Sequence, residues 1–140
     1  MPAATKFNGG EGCWYHGGIA YFTTKRDGRV WALDTHANSI EILYDQSTPG
    51  GQALTHIDNV YVSSFGDVYV AEDPGDLQIV ALTPTGNVVP VLQVTRQTGT
   101  EITGPALSPD GTRLYFSSQR GPGPIGNFGV TYEVTGPFLP

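Results

Sequence analysis

The sequence predicts an all-β chain, a β-propeller fragment of about three blades. Three observations carry this. The 140 residues include 19 Gly and 11 Pro with only 14% charged residues, which suits short strands and tight turns and disfavours helical bundles and coiled coils. Runs of roughly four to six apolar-rich residues alternate with turn signals roughly every eight to twelve. The chain also repeats itself: Gly18–Thr24 (GIAYFTT), Gly66–Glu72 (GDVYVAE) and Gly111–Ser118 (GTRLYFSS) align on Tyr21, Tyr69 and Tyr115, with a period of about 47 residues. A β-sandwich would explain the strand spacing but gives no reason for the repeat.

Each unit then reads in order. The innermost strands are expected at Cys13–His16, Val60–Ser63 and Pro105–Leu107, and the tyrosine-bearing segments form the second strands. Third strands follow at Arg29–Leu33, Gln78–Leu82 and Gly129–Val134, with outer strands at Ile40–Tyr44 and Val88–Val94. Asp27-Gly28, Ala37-Asn38, Thr85-Gly86-Asn87 and Pro109-Asp110-Gly111 supply turns. The blades occupy about residues 10–46, 56–96 and 101–140 of a single domain spanning 1–140. The third lacks an outer strand of its own, and the segment Ala3–Phe7 is the expected substitute. Three blades do not close a ring, so the expectation is part of a longer protein or two copies joined as a six-bladed ring. The Gly/Pro-rich stretch Gly121–Asn127 reads as a long hairpin loop.

Composition excludes several functions. The net charge is -6, and seven basic residues are too few for a nucleic-acid footprint. No apolar run is long enough to cross a membrane as a helix, and the first residues do not read as a signal peptide. Cys13 is the single cysteine and reads as a small buried hydrophobe with no base beside it.

Acidic residues recur at informative places. Glu11, Asp58 and Glu101 each fall just before an expected innermost strand, so a propeller would bring them to one end of its channel. Carboxylates delivered by successive rigid loops suit a hard cation such as calcium. The alternative is a set of solvated loop acids. Asp58-Asn59 also reads as a turn-forming pair, and Asp73-Pro74-Gly75-Asp76 as a surface turn. His16 and His56 fall nearer the axial end than His36, and a hydrogen-bonded loop histidine is the commoner reading of each.

The ordered motifs Gly10-Glu11-Gly12, Tyr21-Phe22-Thr23, Gly28-Arg29-Val30-Trp31, Asp58-Asn59, Glu72-Asp73 and Glu101–Tyr115 (EITGPALSPDGTRLY) resemble the C-terminal half of the PhoX-type alkaline phosphatases. The resemblance covers about residues 9–123 and implies a propeller with calcium, and with iron as Fe3+, at its channel mouth. It implies metal-binding roles for Glu11, Glu72 and Glu101, with Asp58, Asn59 and Asp73 beside them. It further implies a phosphomonoester substrate, export to the periplasm or the extracellular space, and a missing N-terminal half with which this chain associates. The expected function is therefore part of a metal-dependent phosphatase, with little activity in the isolated half. A calcium-dependent lactonase or esterase propeller, which shares the Asp-Asn pair, and a non-catalytic propeller module for binding or assembly are the alternatives.

Overall fold

The computed structural model describes residues 4–49, 53–97, 99–122 and 128–138. Among them the chain is all-β without helix. Strands β1 (Gly10–His16), β2 (Ile19–Thr24), β3 (Arg29–Asp34) and β4 (Ser39–Asp45) form sheet I. Sheet II contains β5 (Ile57–Val62), β6 (Val68–Glu72), β7 (Gln78–Leu82) and β8 (Val88–Gln93), and sheet III contains β9 (Ile102–Leu107), β10 (Arg113–Ser118) and β11 (Val130–Thr135). Each sheet is an antiparallel meander in sequence order. This is the blade-like arrangement of a propeller fragment. Local chemistry sets the turns: β1 and β2 are joined by Gly17-Gly18, whose φ values of 57° and 89° suit a two-residue hairpin matched to strand twist. Pro90, which cannot donate to a ladder, lies on the edge strand β8 at a bulge.

Sheet II is the centre of the core. Its strands β6 and β7 are apolar on both faces, and alternation sends the two faces to different neighbours. Val68, Val70, Val80 and Leu82 pack with Val30 and Tyr44 of sheet I, while Tyr69, Ala71, Ile79 and Ala81 pack with Ile102, Leu114 and Phe116 of sheet III. Each fully buried aliphatic side chain contributes about 1.5–3 kcal/mol. The front of one sheet thus meets the back of the next.

The two end faces differ in character. Cross-strand pairs place Cys13, Phe22, Trp31 and Ile42 in one row on the open face of sheet I, and Tyr15, Ala20, Leu33 and Ile40 in the next. Trp31 holds the register of the buried Val80 but lies on this open face, where Phe7 packs edge-on against Phe22 at 5.0 Å and Trp31 at 5.4 Å. Cys13 is exposed there rather than buried. The open face of sheet III carries Arg113, Tyr115, Ser117, Thr131 and Glu133, with Arg113 and Glu133 3.6 Å apart.

Several expectations need correction. Innermost strands begin at Gly10, Ile57 and Ile102, about three residues earlier than the apolar pattern suggests. The reason is a bulge in each: register shifts once between Gly10 and Cys13, between Ile57 and Val60, and between Thr103 and Ala106. A bulge breaks the period-2 pattern by which a strand is recognised. Residues 4–7 are not a strand; Gly9 instead accepts a bond from Lys25 N in sheet I, so among the described residues the expected outer strand of sheet III is not supplied from residues 4–7. Ala3, and residues 123–127 of the expected Gly/Pro-rich loop, lie outside the described residues.

Candidate metal centre

The bulges converge at one end of the sheets. Lys25 N, Asp73 N and Gln119 N donate in the same way to the carbonyls of Gly9, His56 and Glu101, at 2.8, 2.8 and 2.9 Å. This aligns the sheets residue by residue. Glu11 and Asp58 share one register position, which Thr103 occupies in sheet III. Glu101 lies two residues earlier, in the place of His56. The three expected entry acids are therefore not equivalent, because Glu101 precedes its bulge while Glu11 and Asp58 lie inside theirs.

Asp58 is fixed through its backbone. Gly12 lies so close that a Cβ there would stand 2.6 Å from Val60 N and 2.9 Å from Asp58 O. Thr23 Oγ1 accepts from Gly12 N at 2.8 Å and donates to the Asp58 carbonyl, joining sheets I and II. The adjacent Asn59 joins sheets II and III: its Oδ1 accepts from Gly104 N at 2.7 Å and from Thr103 Oγ1, and its Nδ2 donates to Asp58 Oδ1 at 2.7 Å.

Asp58, Asp73 and Glu101 each offer a carboxylate oxygen within 4.8 Å of the others. Asp73 is 2% exposed. Its Oδ2 pairs with Lys25 Nζ, while its Oδ1 is buried with no partner among the described residues. Lys25 Nζ also stands 3.9 Å from Asp58 Oδ2. Glu101 accepts from Arg120 Nη1 at 2.8 Å. Burial pushes the Asp58 carboxyl above its ordinary value, Glu11 adds to the shift, Lys25 opposes it and Glu101 adds further. Glu11 is exposed and acts on the cluster from its edge.

Glu72 is placed differently. It is 1% exposed, and both oxygens are occupied: Oε1 accepts from Thr55 N at 2.8 Å and Thr55 Oγ1 at 3.2 Å, and Oε2 from Gln78 N at 3.0 Å. Its side chain ties the loop before β5 to the start of β7. Asp73, the next residue, reaches the cluster instead. The turn motif drew attention to Pro74–Asp76, which are exposed, and concealed the burial of Asp73. Nothing in the local sequence marks Lys25 or Arg120 as the partner of an acid elsewhere in the chain, and only the packing of the sheets brings them to Asp73 and Glu101. His16 pairs with Ile19 at the far end of β1 and His56 flanks the cluster end, so the two histidines lie at opposite ends of the sheets.

The donor set consists of carboxylate oxygens, with no histidine or thiol among the grouped residues, which fits a hard cation such as Ca2+ and not a soft metal. The unsatisfied, buried Asp73 Oδ1 supports the same fit, because an unpaired carboxylate oxygen away from water is costly.

No curated protein matches this sequence. Among solved structures, a structural genomics protein of unknown function from Bacteroides thetaiotaomicron matches with a TM-score of 0.64 and 15% identity over 84% of this chain. The likeness is one of fold, and the chain spans only 28% of that protein's length. Residues 16–123 match the alkaline phosphatase PhoX family, a family of metal-dependent phosphatases. With well over half of its length matched, this chain belongs to the PhoX alkaline phosphatase family.

Proposed function

We propose that this chain forms part of the metal-binding wall of a phosphomonoesterase, with Asp58, Asp73 and Glu101 as the carboxylates that hold the cation. The observation that carries the reading is Asp73: a buried carboxylate with one oxygen unpartnered among the described residues, close to two further acids, one in β5 and one just before β9. Calcium is the cation this donor set suits best, with iron as a second ion in the complete site. A bound cation supplies Lewis acidity toward a phosphoryl oxygen and lowers the pKa of an attacking water. The protein's part is to fix the acids in place. Asn59 and Thr23 lock the Asp58 bulge between three sheets, Arg120 orients Glu101, and Glu11 adds negative charge at the rim. Glu72 supports the loop behind Asp73 rather than facing the ion. We place the activity in an exported enzyme, in line with the family resemblance.

The end faces bear on partners. The apolar open face of sheet I suits a further β-sheet packed in front of it. Two copies joined end to end would instead press Phe22 and Trp31 against the Arg113–Glu133 ion pair and strip it of water, a desolvation cost that its mutual attraction does not readily repay. This favours covering by another part of a longer protein over a ring of two copies.

The test is p-nitrophenyl phosphate hydrolysis by the longest form of the protein, with Ca2+ and after EDTA, for the parent and Asp73→Asn. Activity lost on chelation and lost in Asp73→Asn is expected. Phosphatase activity that survives both would refute the assignment of the site. Calcium-dependent lactone hydrolysis without phosphatase activity would favour a lactonase, and absence of bound metal a non-catalytic binding module.

A further inference from the structure

We propose that Lys25 is an internal competitor for the cation site, a specificity-determining residue whose ammonium occupies the place a metal must take. The inference rests on the metal reading above and goes on to say what limits occupancy. Lys25 Nζ is paired with Asp73 Oδ2 and stands 3.9 Å from Asp58 Oδ2. Those are oxygens of two of the three grouped acids. A divalent ion that took Asp73 through both oxygens, including the Oδ1 unpartnered among the described residues, and Asp58 through Oδ2, at the usual distance of about 2.3–2.6 Å, would lie in or beside the position of Nζ. Two cations so close repel strongly in a partly buried site, so metal and ammonium exclude one another.

The placement is built into the backbone. Lys25 and Asp73 hold the same position at the ends of β2 and β6, each with its amide bonded to the residue just before the innermost strand. Sheet I therefore presents a cation where sheet II presents an acid. The Lys25 side chain keeps 32% of its surface exposed, and its flexible stem can carry the ammonium out to water when an ion displaces it. Around the cluster, Lys25 meets Asp58 and Asp73 while Arg120 meets Glu101, so displacement leaves three carboxylates for the ion, with Glu11 adding charge from the edge and one guanidinium remaining. Lys25 thus raises the cation concentration needed to fill the site, and it screens out monovalent ions, which gain too little to displace it.

Titration calorimetry with CaCl2 at pH 8, on the parent, Lys25→Met and Lys25→Arg, tests this. Methionine keeps the length and removes the charge. The expected result is at least tenfold tighter Ca2+ binding by Lys25→Met than by the parent, with Lys25→Arg no tighter than the parent. Equal or weaker binding by Lys25→Met, with Ca2+ still bound by the parent, overturns the role of Lys25 and leaves the metal site standing. No binding to any of the three overturns both. Should Lys25→Met unfold without calcium, circular dichroism across a CaCl2 titration gives the decision: refolding at a midpoint at least tenfold below the parent's Ca2+ dissociation constant supports the proposal, and failure to refold at any concentration overturns it.

Discussion

Replacing Glu72 by glutamine separates a structural carboxylate from a metal-binding one. The Glu72 oxygens accept from Thr55 N, Thr55 Oγ1 and Gln78 N, at 2.8, 3.2 and 3.0 Å, and the residue is 1% exposed. Glutamine retains one acceptor oxygen and converts the other into an NH2 donor. Either Thr55 N or Gln78 N must then face a donor with no acceptor in reach. Leaving one such amide unsatisfied costs about 1–3 kcal/mol, and losing the negative charge weakens the surviving bonds, so the total is about 2–4 kcal/mol. The assay is urea denaturation in EDTA, followed by fluorescence of Trp14 and Trp31. With a slope near 2 kcal/mol/M the midpoint falls by about 1–2 M while the slope stays constant. Added Ca2+ should stabilise Glu72→Gln as much as it stabilises the parent, by mass action on the folded state. An unchanged midpoint in EDTA, coupled with loss of the calcium effect, would show that Glu72 serves the ion and not the loop, and would refute this reasoning.

Three further outcomes are expected. Asn59→Ala removes the acceptor of Gly104 N and Thr103 Oγ1 and should lower stability by about 1–3 kcal/mol, read as a fall in melting temperature; an unchanged melt would mean the bridge between sheets II and III contributes nothing. Gly12→Ala puts a methyl 2.6 Å from Val60 N and 2.9 Å from Asp58 O, contacts that backbone cannot relieve cheaply, so it should cost roughly 1–3 kcal/mol or more and weaken Ca2+ binding by shifting the Asp58 bulge. Asp45 is held down to about 2, first by Ser47 through its hydroxyl and amide and then by Arg29, so its folded value lies below the ordinary 3.8. Its stabilisation is therefore complete above about pH 4 and fades as pH falls through about 2; the difference in melting temperature between Asp45→Asn and the parent should shrink over that window, and a constant difference would contradict the assignment.

The strand pattern was legible in the residues because strands and turns are local. Period-2 apolar runs, Gly17-Gly18 between β1 and β2, and the recurrence around Tyr21, Tyr69 and Tyr115 need only near neighbours to take effect. That Asp58 and Glu101 lie near one end of the sheets was legible too, since both open an innermost strand. Which acids meet was not. Glu72 and Asp73 are adjacent, and successive residues leave a strand in opposite directions, so sequence could not choose between them. Antiparallel register and the packing of sheet on sheet brought Lys25 to Asp73 and Asn59 to Gly104, pairs separated by 48 and 45 positions. Bulges at Glu11-Gly12, Asp58-Asn59 and Gly104-Pro105 then re-aimed the side chains that the alternating pattern would have misplaced. Sequence determined the sheets because they depend on backbone preference within a few residues; only the tertiary structure decided the site, because it depends on charges that meet across strands.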